Sequence, residues 1–422
     1  MDITFIRSHA QESPRRLGAS LEAALHKHGH RVTVLAPLPS SVDPASMSLA
    51  RRLLKVPVSH AGKTHELDVY TGRDRDGVER VYLAGLEALG GDERVFGAAA
   101  ARYLRDADAV SDVVVGAGLA GGSALAAIAA SEEAAVRALL TEGEKVPPEA
   151  LLAAEIVLTK HDAEIDGLTK ILGDAAEGRR FRVLLPGLDP AEWNPLTDPH
   201  VRSRFDPIDL RGKAKCKIAL QRELALPVRA EVPLIGAVGR GDDGSGIDLL
   251  SRIGPEILKN DVQLVVHVEG GGEVVGRLEE LWDRWPDRLQ IRTGREEGFI
   301  HRLVSACDAF YLPVEAGDDL TLALAAQRYG ALPIVSRNSG VADLVVDVDP
   351  SLTTGNGFLA DALTEEALLA TFRRVAAAFQ RPEAFAALGQ RAMRKDHSIE
   401  AVVALVEHLF ETALEKKASE EA

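Results

Sequence analysis

The stretch of sequence that decides the fold is residues 233–268, PLIGAVGRGDDGSGIDLLSRIGPEILKNDVQLVVHV. It predicts an apolar strand over 233–238, a helix over 248–258 and a second apolar strand over 262–268. Parallel strands of one sheet need a long crossover between them, usually a helix. The stretch therefore predicts a βαβ unit.

The same alternation extends through most of the chain, in two series. Few aromatic residues (5%) and many alanine-rich stretches favour helices packed on sheets over an all-β architecture. We therefore expect an α/β protein with two doubly wound halves. In the first series the predicted strands include 2–6, 31–36, 67–70, 79–83, 112–115 and 156–159, and the helices 18–28, 92–105 and 123–131. In the second series the further strands are 289–292, 309–312 and 332–335, and the further helices 274–285, 297–306 and 320–329.

A proline-rich segment separates the two series. It begins LDPAEWNPLTDP at residue 188, a composition that suits a rigid irregular segment better than a regular element. Ligands of open α/β sheets bind beyond the carboxyl ends of the strands, so we expect the ligand site in a cleft between the halves. We place the first domain at 1–187, a connector at 188–232, the second domain at 233–395 and a C-terminal helix and tail at 396–422.

Composition and charge exclude several classes of partner. The 422 residues carry 49 Lys plus Arg against 64 Asp plus Glu, and this net charge of −15 repels nucleic acid and anionic membrane surfaces. No window of eighteen uncharged apolar residues predicts a membrane-spanning helix. Cys216 and Cys307 lie too far apart for a metal-ligand pattern and supply no disulfide framework, so both are interpreted as packing residues. We expect a cytoplasmic protein that needs no metal.

A glycine motif after a predicted strand is the first candidate site. Residues 113–122, VVVGAGLAGG, contain a G-x-G-x-x-G pattern that begins at Gly116 and Gly118. A dinucleotide site also needs an acidic residue at the end of a second strand, but Glu132 and Glu133 lie in an alanine-rich helical stretch. We interpret the motif as a tight glycine-rich loop facing the cleft, and a dinucleotide enzyme is kept as a less favoured hypothesis.

Several short motifs together carry a more specific resemblance. They run in one order from about residue 187 to 409, with weaker matches in the first domain. The chain resembles the bacterial glycogen/starch synthase family in these segments: WNP at 193–195, TDP at 197–199, GKA at 212–214, ALQRELALP at 219–227, the strand ending in Arg240, RYG at 328–330, GVAD at 340–343 and TGNGF at 354–358.

That resemblance implies a GT-B fold, in which two Rossmann-like domains close on a nucleotide sugar. It implies retaining transfer of glucose from ADP-glucose to the 4-hydroxyl of an α-1,4-glucan, without a metal or a resident cofactor. The departing diphosphate is negatively charged, so the site needs cations and N–H donors directed at it.

The second domain keeps some of the family's donor-binding groups and lacks others. Arg240 is retained, whereas Ser245 stands at the position of the family's lysine. Alignment without gaps between Pro313 and Tyr329 puts Gly317 at the position of the family's glutamate. The family's Thr-Gly-Gly turn is replaced here by Asn338, Ser339 and Gly340, whose backbone amides could still bind a phosphate.

The first domain departs further from the family. The family's Lys-x-Gly-Gly loop is replaced by a shorter stretch over 8–17, where Arg15 is a candidate substitute for the lysine. The family's His-x-His-Asp-Trp segment is replaced by the glycine motif that contains Gly116 and Gly118. The acceptor-side and catalytic His, Asp and Trp of the family therefore have no counterparts at these positions.

Two main hypotheses follow. The first is a glycogen/starch synthase-like glucosyltransferase in which Arg240, Arg15 and the turn at 338–340 hold the donor diphosphate. The second is a catalytically inactive paralogue that binds a nucleotide sugar or a glucan and acts in regulation. A transferase with another donor or a small acceptor is a weaker third hypothesis, and the oligomeric state stays open.

Other polar and aromatic residues have simpler interpretations. His301 on a predicted helix is interpreted as a hydrogen-bonded structural histidine. Trp282 and Trp285 are interpreted as core and interdomain packing residues. The acidic residues at the predicted cleft rim would repel a diphosphate, so we interpret them as a solvated loop; they are Glu315, Asp318 and Asp319.

Overall fold

The computed structural model describes most of the chain. The described residues form an α/β protein, which confirms the predicted fold class. They divide into two compact units, one of Met1–Gly187 with Ile399–Ala422 and one of Leu188–Ser398. The described residues are 1–8, 17–107, 109, 111–130, 135–141, 146–160, 162–185, 187–242, 244–294, 296–313 and 320–421.

The first unit is built on a nine-stranded sheet with the order β3-β4-β5-β2-β1-β6-β7-β8-β9. Strands β3, β4 and β5 pair in antiparallel fashion, and all the other pairs are parallel. The strands are β1 Asp2–Ile6, β2 Arg31–Leu38, β3 Ala50–His60, β4 Lys63–Arg73, β5 Glu79–Ala84, β6 Val113–Ala117, β7 Val136–Leu140, β8 Ile156–Thr159 and β9 Arg180–Val183. The helices are α1 Leu17–Lys27, α2 Glu93–Asp106, α3 Gly118–Ala129, α4 Pro148–Ala153, α5 Asp162–Leu172 and α13 Ile399–Glu421.

Helices cover both faces of this sheet. Apolar residues of α2, α3 and α4 pack on one face. On the other face, Leu25 of α1 and Val403 and Phe410 of α13 pack against β1, β6 and β8. Because both faces are covered, the central strands are continuous apolar runs such as β6, in which all five residues are buried. The helix predicted for the C-terminus thus completes the first unit.

Strand β6 runs directly into α3, so the loop predicted around Gly116 and Gly118 is wrong. Gly116 is the fourth residue of β6 and Gly118 is the first residue of α3. A Cβ on Gly121 would lie 2.4 Å from the carbonyl carbon of Gly116 and 2.7 Å from the oxygen of Ile6. These glycines therefore let α3 pack against the backbone of β1 and β6.

The second unit is built on a parallel six-stranded sheet with the order β12-β11-β10-β13-β14-β15. Numbered within the unit, this is 3-2-1-4-5-6, the strand order of a Rossmann fold. The strands are β10 Leu234–Arg240, β11 Gln263–Glu269, β12 Leu289–Thr293, β13 Ala309–Tyr311, β14 Leu332–Ser336 and β15 Phe358–Ala360. The helices are α6 Arg211–Glu223, α7 Ile247–Leu258, α8 Glu273–Arg284, α9 Glu297–Ala306, α10 Thr321–Arg328, α11 Glu365–Phe379 and α12 Pro382–Met393.

The segment expected to connect the two domains lies within this second unit. Residues 188–232 contain α6 and the buried side chains of Trp193, Phe205 and Leu220. Its first part is irregular, as the prolines predict, but it packs against the unit as part of its core.

We expect Gly121→Ala to lower the free energy of unfolding by at least about 2 kcal/mol, because its Cβ meets backbone atoms that cannot move aside. The matched control is Gly167→Ala in α5, where a Cβ meets nothing within 4 Å. The free energy of unfolding of that control should rise by about 0.5–1 kcal/mol, because alanine has a higher helix propensity than glycine. Thermal or urea unfolding measures both, and equal effects would contradict the packing role of Gly121.

Candidate functional site

The strand order of the second sheet places a candidate site at the edge formed by the carboxyl ends of its strands. Strands β10 and β13 are neighbours, although two further strands separate them in sequence. This is the topological switch point of a doubly wound sheet, where ligands bind beyond the carboxyl ends of the strands. Arg240 ends β10 and Ser336 ends β14 at this edge.

The loop after β10 is held tightly by its own hydrogen bonds. The hydroxyl of Ser245 donates to the carbonyl oxygen of Arg240 at 2.7 Å, and the amide of Gly246 donates to Oδ1 of Asp248 at 2.9 Å. Gly246 has φ +78°, and a Cβ there would lie 2.4 Å from Cβ of Pro313. Glycine is therefore required at 246 both by conformation and by space.

The charge at this edge is not favourable for an anion. The guanidinium of Arg240 is exposed and lies 3.3 Å from the carboxylate of Asp242. Its register partner on β11 is Glu269. Burial raises the pKa of Asp248, but hydrogen bonds from Arg252 and from backbone amides outweigh it, so the net shift is downward. The neutral hydroxyl of Ser245 adds no cation to this edge.

The turn after β14 offers hydrogen-bond donors. The amide of Ser339 donates to Ser336, and the amide of Asn338 donates to the hydroxyl of Ser336. Within the described part of the chain, the hydroxyl of Ser339 is buried without a partner, and the amide of Gly340 has no acceptor. An anionic oxygen at this turn could accept from both groups.

The structure thus brings part of the predicted donor site together. Arg240 and the turn of Asn338, Ser339 and Gly340 lie at the same edge. One strand, β13, lies between β10 and β14, so two strand spacings, each of about 5 Å, separate them. Gly116 and Gly118 lie in the packing of the first unit. Predictions for the following residues fall outside the described residues: Arg15, Gly317, Glu315, Asp318 and Asp319.

A second group of residues in this unit forms a buried polar cluster, which we call the Asp198 cluster: Trp193, Asp198, His301 and Tyr329. Oδ2 of Asp198 lies 2.7 Å from Nδ1 of His301 and accepts from the Tyr329 hydroxyl at 2.6 Å. The indole of Trp193 stacks on the imidazole of His301, with ring centroids 3.9 Å apart. The structural interpretation of His301 is thereby confirmed, and the ring is not available to a substrate.

Two buried lysines of α6 continue this packing. Nζ of Lys213 donates to the carbonyl oxygens of Tyr329 and Ser305, at 2.8 and 3.3 Å. Burial lowers the pKa of Lys213 to about 8, with a smaller opposing effect of Asp308. Nζ of Lys217 forms an ion pair with Asp308 at 2.7 Å. The WNP, TDP, GKA and RYG motifs of the resemblance therefore meet as a structural network, which their separate positions in the sequence did not reveal.

The two cysteines agree with the sequence interpretation, and Trp282 does not. Cys216 and Cys307 are buried free thiols, as predicted, and burial raises the pKa of both. Trp285 packs at the margin of the core of the second unit. The interpretation of Trp282 as a core residue is wrong, because 41% of it is exposed.

Within the described ranges, no group of three or more His, Cys, Asp or Glu side chains is placed to hold a metal ion. None of the helices in the described part of the chain is both long enough and apolar enough to cross a membrane.

The two Rossmann-like sheets define the class of fold, which is that of the GT-B glycosyltransferases. The catalytic domain of starch synthase IV from Arabidopsis thaliana, in a structure bound to ADP and acarbose, superposes with a TM-score of 0.74 at 18% identity, covering 98% of this chain and 99% of that one. At this identity the likeness establishes the fold alone.

Sequence comparison gives the particular relatives, and it confirms the resemblance to glycogen and starch synthases. The glycogen synthase of Anaeromyxobacter dehalogenans is 36% identical over 260 residues, which are 62% of this chain and 53% of the relative. Soluble starch synthase 1 of Solanum tuberosum is 33% identical over 229 residues, 53% of this chain and 36% of the relative. The chain thus spans about half the length, or less, of these curated relatives. No family model matches it.

A buried histidine gives this unit a testable dependence on pH. Nε2 of His397 lies 2.8 Å from Oε1 of Gln327, whose own amide donates to the carbonyl oxygen of Leu344. The imidazole must therefore donate from Nε2. Burial, followed by the charge of Lys395, lowers the pKa of His397 to about 4, from an ordinary value of 6.5.

We expect acidification from pH 6.5 to 4 to destabilise the protein through His397. In this window the unfolded chain binds a proton at His397 and the folded chain does not, so the free energy of unfolding falls by about 3 kcal/mol. Chemical unfolding across this range should show a smaller fall in the free energy of unfolding for His397→Gln than for the unmodified protein. The glutamine keeps an N–H donor for Gln327. Identical pH profiles for the two proteins would contradict the assignment.

Proposed function

We propose that this chain is a glycogen/starch synthase-like glucosyltransferase that binds ADP-glucose at the carboxyl edge of the second sheet. The turn at 338–340 carries the proposal, because the Ser339 hydroxyl and the Gly340 amide are donors without partners in the described structure. Arg240, at the end of β10, would contact the same diphosphate. The relatives' names suggest glycogen or starch as the acceptor, and the resemblance implies an α-1,4-glucan.

A second candidate function is binding without transfer. A specific observation favours it: Ser245 supplies no charge, and Asp242 already lies 3.3 Å from Arg240. Loss of a single group that stabilises the transition state can cost about 3–4 kcal/mol of barrier. A chain without the family's lysine and its histidine-rich segment would bind a nucleotide sugar and transfer glucose very slowly, as a sensor or regulatory partner would.

Arg240→Ala should weaken ADP and ADP-glucose binding at least tenfold, about 1.4 kcal/mol, because it removes the cation next to the diphosphate. Isothermal titration calorimetry measures both ligands. The matched control is Arg373→Ala on α11, an exposed arginine outside this edge, and its affinities should equal those of the unmodified protein. Equal affinities for the unmodified protein and Arg240→Ala would overturn the role of Arg240.

Ser245→Lys should strengthen ADP binding about tenfold, because it restores the second cation expected from the family. Ser245→Gln, which adds length without charge, is the matched control and should not strengthen binding. An unchanged affinity in Ser245→Lys would show that the side chain at 245 does not face the diphosphate.

Transfer of radiolabelled glucose to glycogen, measured in the same samples, separates the two candidates. Binding with transfer supports the glucosyltransferase and means that other residues replace the missing groups. Binding without transfer supports the inactive paralogue. Absence of both binding and transfer would overturn the proposal as a whole.

A further inference from the structure

A cavity in the second unit, away from the edge described above, is lined by several basic side chains. It has a volume of about 270 Å³ and lies where the turn after α12 meets the end of α10 and the start of the unit. Arg328, Arg394, Lys395 and His397 all contribute to its wall. Neither the resemblance nor the proposed donor site assigns a role to this cavity.

Three of these side chains are cations, whereas burial keeps the imidazole of His397 uncharged above about pH 4. Among the described residues, no carboxylate lies within ion-pair distance of Arg328, Arg394 or Lys395, and Nζ of Lys395 has no hydrogen-bond acceptor. The guanidinium of Arg328 makes long contacts, 3.4 Å to the carbonyl oxygen of Met393 and 3.5 Å to Asn194. In a chain with a net charge of −15, three such cations around one cavity are an unbalanced local charge.

Asp396, the acidic residue of the cavity wall, offsets only part of that charge. Hydrogen bonds from Ser398 and, to a smaller extent, the charge of Arg328 lower its pKa. Oδ1 of Asp396 accepts from the amide and the hydroxyl of Ser398, at 3.0 and 2.6 Å, in a turn of its own. Burial lowers the pKa of Lys395, so its charged form is held there at an energetic cost. An anion in the cavity would stabilise the ammonium and fill the donor positions of both arginines.

The rest of the lining favours an organic anion over a bare inorganic one. A phosphate ion fills a small part of 270 Å³, a volume near the lower limit of about 300 Å³ for small-molecule sites. The remaining wall is largely apolar, and small-molecule sites combine such surfaces with a few polar groups. It consists of Leu188, Pro190, Trp193, Pro207 and Met393.

We propose that this cavity is a binding site for a small phosphate monoester of hexose phosphate size. Its phosphate contacts Arg328, Arg394 and Lys395, and its compact organic part rests on the apolar wall. The site is distinct from the donor site at Arg240, and the proposal does not depend on ADP-glucose binding.

Calorimetry on the full chain tests the proposal with a hexose 6-phosphate, inorganic phosphate and the unphosphorylated hexose. We expect binding of the hexose 6-phosphate, at least tenfold weaker binding of inorganic phosphate, and no binding of the hexose. Arg394→Gln and Lys395→Gln should each weaken hexose 6-phosphate binding at least tenfold. Arg373→Gln, an exposed charge on another helix, should leave it unchanged, as should Arg240→Ala.

Each other outcome counts against the proposal. No binding of any phosphate, or equal binding by the unmodified protein and Lys395→Gln, overturns it. Equal affinity for inorganic phosphate and hexose 6-phosphate overturns the organic ester as ligand. Loss of hexose 6-phosphate binding in Arg240→Ala would place the ester at the donor edge instead. Circular dichroism and thermal unfolding of each variant establish that the protein tested is folded.

Discussion

The second unit depends on the buried carboxylate of Asp198. It accepts hydrogen bonds from His301 of α9 and from Tyr329 after α10, so one side chain from the irregular segment ties two elements together. Removing one partner from such a group leaves a buried polar atom unsatisfied, which costs about 1–3 kcal/mol. This constraint explains why residues 193–199 are ordered without regular secondary structure.

Several motifs that resemble the glycogen and starch synthases lie in the packing of the second unit. These motifs supply the Asp198 cluster and the buried lysines of α6. These groups stabilise the packing of the second unit and do not themselves form the site at the strand ends. The groups proposed to bind the donor at that edge are Arg240 and the turn at 338–340.

Much of the fold could be predicted from the sequence, because buried parallel strands are continuous apolar runs. Strands β1, β2 and β10 follow from that pattern, whereas the charged residues in β9 hide it. The glycine motif is ambiguous in the sequence, because a ligand-binding loop and a helix packed closely on a strand both require glycine. The close approach of Gly121 to Gly116 shows that here the glycines serve helix packing. The cavity around Lys395 joins residues from distant segments, so sequence spacing could not show it.

The composition of the first unit has a consequence for synthesis of the chain. Its core contains α13, whose Val403 and Phe410 cover one face of a sheet that is otherwise complete by residue 183. During translation, the part of that face that α1 leaves uncovered emerges from the ribosome more than two hundred residues before α13. The intervening second unit is continuous in sequence and is complete first. The first unit must therefore wait until α13 has been synthesised, and the part of its sheet that α13 covers is the surface that a molecular chaperone would protect meanwhile.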